Sequence, residues 1–319
     1  MLRVRTYVAR RLLQGVLVLW LVSLLIFSLV RILPGDAVIM QLDQAAAPSP
    51  DVLKRARQEL GLDRPFVDQY RTWIGAALQG DLGRSLISRR PVTQELGKRI
   101  NLTTHLAVMS VIIAMLIALP IGVLSAVRQD TASDYLGRFF AVLGLSLPDF
   151  WLGTLVITFA AIWFNWIPPI GYVSLWDSPW KNLQQFLVPA AILGFRLSAA
   201  TMRMTRSTVL EVLREDYVRT AWAKGLAGKI VVYKHALKNA LIPVVTIVGG
   251  QLGTLLAGTV VVETIFALPG MGRLTVEAIL YRDYPIVQTN VMLVAATLVT
   301  LNLIVDLTYA WLDPRIRYS

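Results

Sequence analysis

The chain has no cysteine and only two histidines among its 319 residues. The first absence excludes disulfides and thiolate metal sites and leaves the compartment open. The second leaves a single imidazole pair to consider. His105 and His235 lie far apart and beside opposite ends of apolar runs, so they do not read as a metal pair. Charge is also scarce. Charged residues make up 16% of the chain, against about 25% in soluble domains. With 55% hydrophobic residues and a mean hydropathy of +0.59, the composition belongs to the membrane class.

Catalytic signatures are missing as well. No stretch reads G-x-x-x-x-G-K-[ST]; "GLAGKI" at 225–230 lacks the first spacing and the hydroxyl and reads as a turn. "GDLGRS" from Gly80 reads as a tight turn, and no serine sits in a nucleophile elbow. There is no internal repeat and no low-complexity tract. Acids are outnumbered by bases, giving a formal charge of +11. The cations cluster beside apolar runs, which fits topology and anionic lipid; no nucleic-acid motif accompanies them.

What is present is a set of apolar runs. A spanning helix needs about 20 apolar residues, and six stretches qualify: 12–33, 102–126, 139–164, 187–205, 241–262 and 287–312. The first follows Arg3, Arg5, Arg10 and Arg11, is too long for a signal-peptide core and has no small-residue cleavage site, so it reads as an uncleaved anchor. Its basic flank places the N-terminus in the cytoplasm. Six spans return the C-terminus to the same side. The inside segments then hold sixteen Lys or Arg, and the short outside segments hold four: Arg31, Lys181, Arg273 and Arg282. The bias has the sign of the positive-inside rule, from which the long segment 34–101 is exempt. That segment shows helical periodicity after Pro50 ("DVLKRARQELG", closed by Gly61), after Pro65 and after Pro91. It reads as a small helical outer subdomain.

The stretch "REDYVRTAWAKGLAGKIVVYKHALKNALIPV" at 214–244 stands out, with six Lys or Arg and two acids between apolar spans. Residues 216–224 read as a helix that Gly225 can end. Ala221, Ala223 and Gly225 are small and suit close docking. A short helix with small residues at its end and basic rims fits a groove on a cytoplasmic partner, or else an amphipathic helix on the lipid surface.

The wording of this region, "RMTRSTVLEVLREDYVRTAWAKGL…HALKNALIPVVT", resembles the coupling loop of ABC importer permeases of the dipeptide, oligopeptide, glutathione and nickel group. "LPGDAV", "LGLDRPFVDQY", "GDLGRSL", "GTLLAGTVVVETIFALPGMGRL", "RDYPIVQ" and "NLIVDLTYAWLDPRIRY" are similar to other parts of that family, in the right order and over nearly the whole chain. The resemblance implies an all-α membrane protein of type I importer architecture. Its divisions are residues 1–33 (tail and first span), 34–101 (helical outer subdomain), 102–312 (five-helix core with coupling loop 206–240) and 313–319 (cytoplasmic tail). It implies a bacterial or archaeal plasma membrane, with both termini cytoplasmic. It implies a second homologous permease, two cytoplasmic ATP-binding subunits and an extracytoplasmic solute-binding protein as partners. ATP and Mg would be bound by the ATPase subunits and no cofactor by this chain. Asp216, Tyr217, Arg219, Thr220, Ala221, Trp222, Ala223, Lys224 and Gly225 would form the coupling helix seated in an ATPase groove.

The sequence departs from the pattern in places. The general importer signature begins Glu-Ala-Ala, with Gly four residues after the last Ala; those positions here are Arg219, Thr220, Ala221 and Gly225. The spacing from Gly225 to Pro243 is longer than in sugar importers, and Trp222 stands where the peptide group often has Arg. Two charges fall inside apolar runs, Asp149 in the third and Arg196 in the fourth. Each costs about 2.5–3.5 kcal/mol at mid-membrane on insertion scales. Consecutive antiparallel spans let them pair structurally, or both face the translocation path and bias substrate choice. Arg203 and Arg206 end the fourth span and read as snorkelling or lipid-contacting cations, or else as ATPase contacts. Glu263 closes the fifth, as part of an outer gate or as a solvated end. A stand-alone secondary transporter or channel is the competing reading; it leaves the loop wording unexplained.

Overall fold

The computed structural model describes residues 2–32, 51, 54, 58, 63–169 and 171–312. The "LPGDAV" motif, most of the run after Pro50 with its closing Gly61, and the tail 313–319 lie outside the described residues; Asp51, Lys54 and Gln58 are helical. Among the described residues every regular element is a helix and there is no strand, only an isolated bridge between Arg84 and Pro91. The helices are α1 (Leu2–Ile32), α2 (Phe66–Leu78), α3 (Val92–Val127), α4 (Ala132–Ser146), α5 (Asp149–Phe164), α6 (Pro179–Leu213), α7 (Asp216–Ala223), α8 (Gly228–Leu256), α9 (Val260–Ile265), α10 (Met271–Leu280) and α11 (Tyr284–Leu312).

Five of these, α1, α3, α6, α8 and α11, are long and apolar enough to cross a membrane. The third expected span is not one helix. It is the pair α4 and α5, bent by 96° at a short break. Leu147 and Pro148 make the break, with ψ of 121° and 136°. Proline crowds the residue before it out of the helical region and has no N–H to give to the preceding turn. Counting the pair as one span gives six.

Other boundaries also move. The fourth span extends to 35 residues. The fifth starts early, because the "IVVYKHALKNALI" periodicity continues helically from Gly228, and it ends at Leu256. Gly258, at φ +114°, turns the chain into the short α9. Val262 and Glu263 therefore lie beyond the fifth span, not at its end. Residues Val231–Ala236 of α8 are wound as a π-helix, a rare form concentrated at functional sites.

The chain forms two compact units. One comprises the described parts of Met1–Asn101 with Gly270–Thr300. In it, Ile26 and Val30 of α1 share a core with Val92, Leu96, Met271, Leu274, Ala278, Ile286 and Val287. The described part of the expected outer subdomain thus packs with α1 and Gly270–Thr300 in one unit. Helix α2 has no buried residue and is too small to make its own core. It leans on α1 instead: the Trp73 and Tyr70 rings lie 5.4 Å and 5.3 Å from that of Phe27, and Arg31 Nε donates to Gln69 at 2.8 Å. Asp283 closes the loop before α3, accepting from Ser85 Oγ and, at 3.1 Å, from the Leu86 amide.

The second unit comprises Leu102–Pro269 and the described residues after Thr300. Its core joins Leu102 and Leu106 to Phe186, Ala190, Leu193 and Leu197 of α6, and to Leu255, Val262, Phe266 and Leu268. Helix α6 is the central element, with most of its apolar segment buried. A Cβ at Gly194 would lie 2.8 Å from the Ser110 carbonyl oxygen, and one at Gly122 would lie 2.8 Å from Thr205 Cβ. Glycine at these two positions lets α3 and α6 approach closely.

Candidate functional site

Helix α7 covers Asp216–Ala223, with Lys224 as its C-cap. Gly225, at φ +75°, then turns the chain, a conformation that glycine adopts at no steric cost. The Lys224 amide donates to Thr220 O at 3.1 Å and the Gly225 amide to Trp222 O at 2.9 Å. The helix is two-faced. Val218 and Ala221 are buried with Val231, against Val212, Leu213 and Leu226. Asp216, Tyr217, Arg219, Thr220, Trp222, Ala223, Lys224 and Gly225 are exposed. Ala221 was expected among the docking residues; it faces inward, as the residue that lets α7 lie close on the π-wound turn. Tyr217 fastens the helix at its other end, its hydroxyl accepting from Asn239 Nδ2 at 2.7 Å and donating to the His235 carbonyl at 3.4 Å. Trp222, half exposed, places its ring edge 3.1 Å from where a Cβ on Gly228 would stand.

Asp149 and Arg196 come together. Arg196 Nε lies 3.0 Å from Asp149 Oδ2, with the side chains 46% and 22% exposed respectively. Asp149 is not mid-helix as the sequence suggested. It occupies the first turn of α5, immediately after the break, while Arg196 stands midway between the ends of α6.

A second ion-pair cluster was not anticipated. Asp134 in the first turn of α4 is fully buried. Arg206 grips it through two bonds, Nε to Oδ1 at 2.7 Å and Nη2 to Oδ2 at 2.8 Å. Arg138, Ser125 Oγ and the Asp130 amide also donate to it. Arg206 is therefore a structural donor and not a snorkelling cation. Glu263 is also fully buried, so it is not a solvated end; Thr103 Oγ1 donates to its Oε1 at 3.1 Å. Among the described residues no group of three His, Asp or Glu side chains is placed to hold a metal ion.

The fold and these sites define an all-helical, multi-pass membrane component with a short helix clasped beneath its central spans. Residues 118–318 match the family "Binding-protein-dependent transport system inner membrane component", and residues 1–107 match its companion, "Binding-prot-dependent transport system membrane comp, N-term". The chain belongs to that family, and it is a permease subunit of an ABC importer. It is 39% identical to the dipeptide transport system permease protein DppB of Alkalihalophilus pseudofirmus, over 98% of this chain and 99% of that one. It is 41% identical to the glutathione transport system permease protein GsiC of Escherichia coli, again over 98% and 99%. Among solved structures, the inward-facing methionine ABC transporter MetNI shares its fold, with TM-score 0.55 and 17% identity over 69% of this chain and 97% of that chain. An amino acid ABC transporter does so with TM-score 0.52 and 13% identity over 75% and 98%.

Proposed function

We propose that the chain is one of two homologous permeases lining the path of an ATP-driven importer for peptides or peptide-like solutes. An extracytoplasmic binding protein delivers the solute, and two cytoplasmic ATPase subunits, which bind ATP and Mg, supply the work. Both termini and α7 lie in the cytoplasm, and the described part of 34–101 lies outside. The 39% identity to a dipeptide permease and the 41% identity to a glutathione permease support the solute class.

The observation that carries the coupling role is the two-faced geometry of α7. Its inner face is seated on α8 by Val218 and Ala221. Its outer rim of Asp216, Tyr217, Arg219, Thr220, Trp222, Ala223 and Lys224 is exposed, as a helix seated in a partner's groove requires. Closure of an ATPase pair would displace α7, and the displacement would pass to α6 and α8, between which it is covalently held. The Asp149–Arg196 pair is placed on the path by the same reading, and Glu263 is placed near the outer gate.

Purification in mild detergent from the native host, followed by mass spectrometry, tests the assembly. A second permease and Walker-motif ATPases in the same particle, with ATP-dependent dipeptide uptake after reconstitution, is the expected result. A folded chain that repeatedly purifies alone, under conditions that preserve other such complexes, would overturn it.

A further inference from the structure

From Arg196 onward the exposed side of the central helix is polar where a lipid-facing side would be apolar; nearer its start Trp180, Leu183 and Leu187 are exposed. Helix α6 buries most of its apolar segment, yet Arg196, Arg203, Ser207, Glu211 and the C-cap Arg214 are exposed along it. Their spacing of seven, four, four and three residues places them on one stripe, about 27 Å long at 1.5 Å per residue. The helices that offer a lipid face look different: α1 exposes Leu13, Val16, Leu17, Leu21 and Leu25. A half-exposed guanidinium at the midpoint of a spanning helix is costly against hydrocarbon, so this stripe faces water or protein.

The pair at the head of the stripe is not closed off. Its nearest contact runs from Arg196 Nε to Asp149 Oδ2 at 3.0 Å, with the side chains 46% and 22% exposed. Among the described residues neither group bonds to a third residue, so each keeps an edge for another partner. An open guanidinium edge matches a carboxylate in a planar, two-bond geometry. An open carboxylate oxygen beside it takes an ammonium. The two open edges are complementary to the two ends of one small zwitterion, and neither end has to leave water without a countercharge.

We propose that Arg196 and Asp149 form a binding subsite for the charged termini of a zwitterionic peptide, Arg196 reading the carboxylate and Asp149 the ammonium. This rests on the peptide-importer reading above and names two specificity-determining residues for it. The pair also neutralises itself when no solute is present. Arg203 and Arg214, further along the stripe, extend the same positive lining towards the end of α6.

The test uses the assembled, nucleotide-free importer in nanodiscs without its binding protein, so that any selectivity belongs to the membrane part. Phenylglyoxal labels accessible arginines, and mass spectrometry reads the extent at Arg196. Millimolar alanylalanine is expected to slow labelling of Arg196 severalfold, while its C-terminal amide at the same concentration leaves the rate unchanged. Equal protection by both, or protection by neither, overturns the subsite. An Arg196 that never labels is covered by the partner permease, and the proposal fails.

Uptake gives a second, independent reading. With the binding protein restored, Arg196→Gln is expected to lower alanylalanine uptake about tenfold or more, as loss of a charged hydrogen bond predicts, measured on complexes whose subunit assembly has been checked by co-purification. Arg196→Lys, which keeps the charge and loses the planar fork, should fall between. Unchanged uptake in both variants marks the pair as structural only. If the unmodified complex hydrolyses ATP yet takes up no dipeptide, the peptide reading itself falls, and this subsite with it.

Discussion

Arg206 and Asp134, 72 residues apart in sequence, are joined by two bonds of 2.7 Å and 2.8 Å. The contact ties the start of α4 to the part of α6 that leads into α7. Because Asp134 is fully buried, removing its main partner leaves a carboxylate with reduced compensation. Arg206→Gln is expected to destabilise the chain by about 3 kcal/mol, read as a lowered unfolding temperature of the purified complex. Arg138, whose side chain is 41% exposed, should be the more dispensable partner. An Arg138→Gln variant less stable than Arg206→Gln would reverse this ranking.

Close helix approach makes a second prediction. At Gly194 an added Cβ meets backbone, the Ser110 carbonyl, at 2.8 Å, and backbone cannot rotate away. Gly194→Ala should cost about 1–3 kcal/mol through overpacking. Gly75 lies inside α2 with open space around its Cβ direction. Gly75→Ala should therefore stabilise by about 0.5–1 kcal/mol through helix propensity. Denaturation of the two variants side by side decides whether packing or propensity governs each site.

Gly225 separates conformation from docking. Its φ of +75° strains any L-residue, although nothing lies within 4 Å of the Cβ position. Asn tolerates that region better than Ala. Gly225→Asn should keep transport coupled to ATP hydrolysis. Gly225→Arg, which adds a long side chain beside the exposed rim of α7, should assemble yet hydrolyse ATP with little transport. Normal coupling in the Arg variant would count against the groove.

The Asp283 clasp should hold the loop before α3. Its carboxylate takes the Ser85 hydroxyl and the Leu86 amide while only 4% of the residue is exposed. Asp283→Ala should loosen residues 84–91 and cost about 1–3 kcal/mol for the unsatisfied donors. Hydrogen exchange of the Leu86 amide, fast in the variant and slow in the parent, checks it directly.

Much of this fold was legible because hydrocarbon leaves a strong trace. Runs of twenty apolar residues cannot be hidden, and five of the six expected spans correspond to continuous helices. The ends were less visible, since α6 and α8 continue as amphipathic helices beyond the apolar runs that mark them. The break between α4 and α5 had a signal, Pro148, but Pro120, Pro189 and Pro243 sit inside continuous helices, so proline alone did not separate the cases. The α7 helix and its Gly225 stop were readable from local sequence. Which face of α7 turned inward was not, because that depends on Val231 coming back against it. The Asp134–Arg206 contact left only a faint local hint, the i,i+4 pairing of Asp134 with Arg138. Its main partner lies two helices away.

The π-wound turn at Val231–Ala236 has a consequence for how the chain tolerates change. Such a turn is an α-helix carrying one surplus residue. Deleting one residue within 231–236 would let the turn relax to ordinary winding and leave the rest of α8 in phase. Deleting one residue farther along, between Leu237 and Leu256, would swing every later side chain by about 100° and take Leu255 out of the core it shares with Phe186. The turn is thus a slip joint in a spanning helix, a place where chain length and rotational phase are uncoupled, set against the short helix that Tyr217 pins to it.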